Sequence, residues 1–263
     1  MITRTITSKT AGTAWRSGSD YWAMRSSGFG VAISFFISLF LGLNGLAQQP
    51  NPACSRCPKA PTAQAWAGLS RYRSANAELM AKESKEKRVA FFGDSITDFW
   101  NLGDSFPGKG YINRGIGGQT TPQMLLRFRT DVVALRPKVV VILAGTNDVT
   151  ENTGPETLDD IEGNLASMVE IAQANHIRVI LASILPVAEY PWRKDIQPVE
   201  KIAALNNWMK GFAAGKWLVY LDYYHHGMKA GLSEDGVHPN KAGYAIMEPL
   251  AESAISEAVQ ETP

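Results

Sequence analysis

The sequence predicts an α/β fold: a three-layer α/β/α sandwich around a five-stranded parallel sheet. Three observations lead there. Five apolar runs recur along the chain: RVAFFGD (88–94), YINRGIG (111–117), KVVVILAG (138–145), IRVILASILP (177–186) and KWLVYLD (216–222). The stretches between most of them carry apolar residues at helical spacing. The runs themselves are almost continuously apolar, as strands covered on both faces are. Strands alternating with helices make βαβ units with right-handed crossovers.

The elements follow in chain order. From Ser26 to Ser55 there is no charged residue, and FGVAISFFISLFLGL (29–43) is the most apolar stretch. Its 15 residues fall short of the ~20 that span a bilayer. Arg25 precedes it and Gly45-Leu46-Ala47 follows with small residues, so residues 1–47 read as a secretory signal peptide, with Met24 as an alternative start. The chain is then exported, periplasmic or secreted, with no stable membrane association after cleavage; an uncleaved anchor is the competing reading. QQPNPACSRCPKAP (48–61) holds four prolines and reads as a linker. Cys54 and Cys57 lie in it, without a second pair or a strand-to-helix context, so they read as a local pair outside the core.

The domain is expected over 62–263. Trp66, Leu69, Tyr72, Ala75 and Leu79 predict a helix over 62–83, and KESKEKR (82–88) a solvated connection. Thr121 as N-cap and Pro122 at the first helical position open a helix whose apolar face is Met124, Leu125, Phe128, Val132 and Leu135. Ile161, Leu165, Met168 and Ile171 predict another over 155–175, Val199 to Phe212 one over 198–213, and the last covers 241–259.

Composition removes several function classes. A net charge of +1 offers no basic surface for nucleic acid. GDSFPGKG (103–110) lacks the Ser/Thr of a phosphate loop and leads into a strand, so it reads as a surface turn. GIGGQT lacks the third glycine of a dinucleotide fingerprint, and no cofactor is expected. Asp94, Asp98, Asp148 and Asp235 have no metal-ligand spacing, His225 and His226 lack a third ligand, and no metal is expected. The G-x-S-x-G elbow is absent as well.

Ligands of open parallel sheets sit at the carboxyl ends of the strands. There the sequence places GDSIT, GIGGQT, AGTND and LPVAEY, and the fifth strand leads on to DGVHPN (235–240). Asp235 and His238, three apart, suit a carboxylate that orients an imidazole, and Ser95 suits a nucleophile served by that base. Gly118 N–H, the Asn147 amide and Ser95 N–H are candidate oxyanion donors. Within GDSIT, Gly93 permits a sharp turn and Asp94 and Thr97 brace it by local hydrogen bonds.

GDSIT (93–97), NRGIGGQT (113–120), GTND (145–148) and DGVHP (235–239) resemble, in order, the four blocks of the SGNH hydrolases, the GDSL esterase/lipase family. The resemblance covers about residues 62–260 and is nearest to bacterial platelet-activating-factor acetylhydrolase-like enzymes and carbohydrate esterases. It implies a flavodoxin-like sheet, a Ser95–His238–Asp235 triad, an oxyanion hole of Ser95, Gly118 and Asn147, and a carboxylic ester hydrolase without cofactor. Gly117 is the neighbour most easily exchanged for Gly118.

The expected substrate is a small-molecule or saccharide ester with a short acyl group, acetyl first. Trp100, Tyr190 and Trp192 offer stacking surfaces for a sugar, with core packing the alternative, and Arg114 or Arg193 could meet an anionic group. Lysophospholipase or thioesterase chemistry, or a binding module without turnover, are the alternatives.

Overall fold

A computed structural model describes residues 61–82, 88–226, 228 and 235–260. The segment read as a signal peptide, the expected linker up to residue 60 and both cysteines lie outside the described residues. Among those described, no helix is long and apolar enough to cross a membrane.

Five strands form one parallel sheet in the order β2-β1-β3-β4-β5: β1 Val89–Gly93, β2 Ile112–Gly115, β3 Val139–Leu143, β4 Arg178–Ala182 and β5 Val219–Leu221. Each lies inside its predicted run. The connection from β1 to β2 leads one way along the sheet and the connection from β2 back to β3 leads the other. Order therefore reverses between β1 and β3, and a crevice opens outside their carboxyl ends.

The continuous apolar runs are explained by two cores. Ala90, Phe92, Val140, Ile142, Val179 and Leu181 point to one face. There they meet α5 (Thr121–Asp131), α7 (Leu158–Ala174) and α8 (Pro198–Gly215). Their neighbours Val89, Phe91, Val139, Val141, Ile180 and Ala182 point to the other face, against α9 (Lys241–Gln260). Alternate residues of one strand thus feed two layers.

Helix starts follow local chemistry. α5 is capped by Thr120 in a capping box with Gln123, which puts Thr121 and Pro122 in the first turn rather than Thr121 at the cap. The helix predicted over 62–83 is divided into α1 (Ala63–Trp66) and α2 (Arg73–Ala81), because Gly68 (φ 63°) turns the chain between them. This segment braces the site loops: Gln119 Nε2 donates to Ala67 O (2.8 Å), Gln123 Nε2 to Trp66 O (2.7 Å), and Tyr72 Oη to Gly115 O.

Two glycines permit close approach. A Cβ on Gly93 would sit 2.2 Å from Thr97 Oγ1 and 2.7 Å from Leu143 O. The need at Gly93 is therefore space against Thr97 and β3, not an unusual φ. A Cβ on Gly115 would sit 2.1 Å from the Asp98 backbone N, in the short helix α3 (Ser95–Asp98). Gly115→Ala must push α3 off β2, at a cost of about 1–3 kcal/mol for an overpacked contact. The expected outcome is a lowered Tm together with lost activity, read by thermal melting beside an ester assay.

Candidate active site

The site begins where β1 ends. Asp94 caps α3, its Oδ1 accepting Ile96 N–H at 2.9 Å. No hydrogen bond from the Thr97 hydroxyl is found among the described residues, so its part in the turn is packing against Gly93 rather than the expected bonding. Ser95 opens α3 and is 7% exposed. Its N–H is one of the first-turn donors that a helix leaves unpaired, and it meets no acceptor among the described residues.

From the far end of the chain, DGVHPN comes to the same rim. His238 Nε2 lies 2.9 Å from Ser95 Oγ, and His238 Nδ1 lies 2.6 Å from Asp235 Oδ2. The other carboxylate oxygen, Oδ1, accepts the N–H groups of Val237 (2.9 Å) and His238 (3.0 Å). Asp235 is thus held by the turn that carries His238. Asn240 Oδ1 accepts from Ala242 and Gly243 N–H at the start of α9, and Tyr244 Oη donates to Ile96 O at 2.8 Å. That last bond ties the histidine segment to the serine helix.

The two glycines of the turn after β2 differ in what their N–H groups meet. Gly117 N–H is taken by Asp98 Oδ2 at 3.1 Å. Gly118, at φ 76°, keeps an N–H with no acceptor among the described residues. The loop lies against the serine: a Cβ on Gly117 would be 3.7 Å from Ser95 Cβ. Asn147 stands in α6 (Thr146–Val149), after β3, and is 6% exposed. Asn152 Nδ2 donates to its Oδ1 (2.9 Å) and also to Gly118 O (3.2 Å). The Asn147 Nδ2 donates to Gln119 O at 3.1 Å. This fixes the amide with its NH₂ toward the glycine turn and leaves a second N–H on that nitrogen.

Asp148 supports both donors. Its Oδ1 accepts from Thr121 N–H (2.8 Å) and Thr121 Oγ1 (2.5 Å), which ties α6 to the start of α5. Its Oδ2 is buried beside the Glu156 carboxyl, whose Oε2 is buried as well, and no N–H or hydroxyl among the described residues donates to either oxygen. Burial first, and then the neighbouring Glu156, push the Asp148 carboxyl up from 3.8 to about 7. The folded state holds a proton that the unfolded chain has released, so this stabilisation is complete below about 4 and is lost as pH rises through about 7. Asp148→Asn keeps the Oδ1 acceptor and removes the titration. Wild-type Tm should therefore fall more steeply than that of Asp148→Asn between pH 5 and 8, read by differential scanning calorimetry.

The three aromatic candidates separate. Trp192 is 48% exposed and its ring lies 6.3 Å from that of His238. Trp100 takes the core-packing alternative: it is buried, stacks on Tyr244 at 5.3 Å and donates from Nε1 to Ser105 Oγ. Tyr190 is fully buried, with its hydroxyl on Thr146 Oγ1 at 2.8 Å and its ring 5.6 Å from Trp192. It supports α6 and Trp192 rather than offering a face to solvent. Arg114 and Arg193 are also occupied, Arg114 by Asn76 and the Tyr72 ring, Arg193 by Thr150 O, Glu151 and Asp195. Sequence reasoning missed Phe99, which is 63% exposed with its ring 5.5 Å from His238. The signal was available: Phe99 stands four residues, about one helical turn, past Ser95.

The GDSL-like lipase/acylhydrolase family model matches residues 91–246. The fold is similar to a GDSL-like lipase from Bacteroides thetaiotaomicron, with a TM-score of 0.70 and 46% identity over 73% of this chain and 99% of that one. The chain is 30% identical to the platelet-activating factor acetylhydrolase IB subunit alpha2 of Rattus norvegicus, over 69% of this chain and 81% of that protein. It spans 33% to 63% of the length of several other curated relatives that it matches. An acetylxylan esterase from Geobacillus stearothermophilus, 23% identical over 67% of this chain and 97% of that one with a TM-score of 0.55, shares the fold. With four rim segments meeting around Ser95 and a family model covering more than half of its length, the chain belongs to the GDSL-like lipase/acylhydrolase family.

Proposed function

We propose that the protein is a serine esterase that removes short acyl groups, acetyl first, from a carbohydrate. The observation that carries this reading is the row of 2.9 Å and 2.6 Å contacts from Ser95 Oγ through His238 to Asp235. His238 Nε2 takes the serine proton as Oγ attacks the ester carbonyl, and Asp235 holds Nδ1–H and steadies the imidazolium. The oxyanion is received by Ser95 N–H, Gly118 N–H and the Asn147 amide, none needing to move as charge develops. His238 then protonates the departing alcohol, and water, deprotonated by the same imidazole, releases the acid.

The saccharide preference is supported by Phe99 and Trp192, two exposed aromatic side chains whose rings lie 5.5 Å and 6.3 Å from that of His238. Flat apolar faces beside the scissile bond suit a pyranose ring better than a long chain. The N-terminal sequence supports export, where such esters would be met. Likeness to platelet-activating factor acetylhydrolase subunits favours an acetyl ester of that phospholipid as the second reading.

The test compares wild type with Ser95→Ala, in chelator, on p-nitrophenyl acetate, p-nitrophenyl octanoate and acetylated xylo-oligosaccharide. Fast acetate release from the first and third, lost in the variant, is expected. Preference for octanoate would overturn the short-acyl reading, and undiminished activity in Ser95→Ala would overturn the mechanism.

A further inference from the structure

Opposite the catalytic rim, at the amino ends of β3, β4 and β5, lies a cavity of about 840 Å³. Lys138 and Arg178 bring cationic chemistry to its lining, His176 an imidazole and Gln173 an amide, and Trp217 and Leu218 supply apolar surface. Among the described residues no carboxylate lines it. Arg178 is fixed there, its Nη1 donating to Ala258 O at 2.7 Å. Trp217 is 91% exposed, and no ring contact to it is found among the described residues. The other exposed aromatic side chains among the described residues, Phe99 and Trp192, both lie near the His238 ring.

The turns that present these groups are alike. Ile177 N–H bonds Ala172 O and His176 N–H bonds Gln173 O at the end of α7; Leu218 bonds Ala213 and Trp217 bonds Ala214 at the end of α8. This is the helix-ending pattern whose left-handed position usually holds glycine. Here it holds His176 (φ 58°) and Trp217 (φ 56°). Backbone preference does not account for an indole at that position, and no core contact does either.

We propose that this basin is a second carbohydrate-binding site, for an acidic saccharide segment. Trp217 stacks on a pyranose face, and Lys138, His176 and Arg178 meet the sugar carboxylates. The concave shape and its volume fit one or a few sugar rings, whereas a bilayer surface would require a convex apolar patch. A five-residue strand is about 17 Å long, so a ligand here leaves Ser95 open and could hold a polymer to the enzyme. The proposal takes the kind of polymer from the saccharide reading above. Its readout is binding, so it can fail or succeed whether or not Ser95 turns over.

The test is affinity electrophoresis of the purified protein through gels containing polygalacturonate or neutral dextran, with Trp217→Gly and Lys138→Gln beside wild type. Glycine adopts φ 56° without strain, so Trp217→Gly removes the side chain and keeps the turn. Expected is retardation of wild type by polygalacturonate only, at least tenfold weaker in Trp217→Gly and weaker in Lys138→Gln. Hydrolysis of p-nitrophenyl acetate should stay within twofold of wild type in both. No retardation of wild type, or equal retardation of Trp217→Gly, would overturn the site. Binding to anionic vesicles, or self-association, that disappears in Trp217→Gly without any polygalacturonate binding would assign the basin to another occupant and overturn it equally.

Discussion

Asp235→Asn is expected to lower kcat about 10⁴-fold while leaving KM and Tm near wild type. The size follows from the two sides of one carboxylate. Oδ1 accepts two backbone N–H groups, from Val237 and His238, and Oδ2 accepts His238 Nδ1–H. An asparagine must keep its oxygen toward the two N–H donors, which turns its NH₂ toward Nδ1. The imidazole then adopts the tautomer with hydrogen on Nε2, and that nitrogen cannot take the Ser95 proton. A stopped-assay comparison of kcat and KM, with a melting curve for each protein, separates this loss from misfolding. A variant within tenfold of wild type would show that Asp235 does not set the tautomer.

The second large effect is on stability. Arg127→Met is expected to cost about 3–5 kcal/mol, a Tm drop on the order of 10 °C. Arg127 is completely buried over the Phe92 ring. It donates to Asp131, Gln119 Oε1, Arg114 O (2.8 Å) and Gly93 O (2.8 Å). Burial lowers its pKa to about 10, still well above neutral, so the charge is kept. Methionine fills the volume but leaves Asp131 without its cation, although Asn76 Nδ2 still donates to Asp131 Oδ1, and it takes one donor each from Gly93 O, Arg114 O and Gln119 Oε1. Because Gly93 and Gly115 border the serine turn, activity should fall with stability. Arg127→Met/Asp131→Asn should recover part of the Tm, since the orphaned charge is then gone. Thermal melts of the single and double variants decide it.

Arg127 also marks the limit of what the sequence made legible. Five strand runs were readable because burial on both faces leaves an apolar stretch with no polar interruption, and each strand lies within its run. The rim segments were readable because glycine, hydroxyl and carboxylate residues sit at strand ends where turns and chemistry coincide. What was not readable depends on contacts between distant segments. The buried Arg127 network joins α5 to the ends of β1 and β2, and nothing in TPQMLLRFRTD distinguishes Arg127 from the exposed Arg129. The place of Trp100 and Tyr190 after strands left rim stacking and core packing both open. Their burial follows from Tyr244 and Thr146, residues 144 and 44 positions away in the chain. The choice between Gly117 and Gly118 likewise needed Asp98, whose carboxylate reaches across from α3 to take one N–H and leave the other.

In the proposed mechanism Ser95 is a nucleophile activated by His238. The most direct measurement is intact-mass and peptide analysis after treatment with a fluorophosphonate, which reacts covalently only with an activated serine. One adduct per chain, located on Ser95, with loss of ester hydrolysis in step and no adduct in Ser95→Ala or His238→Ala, is the predicted result. An unmodified Ser95 in protein that still cleaves esters would contradict it.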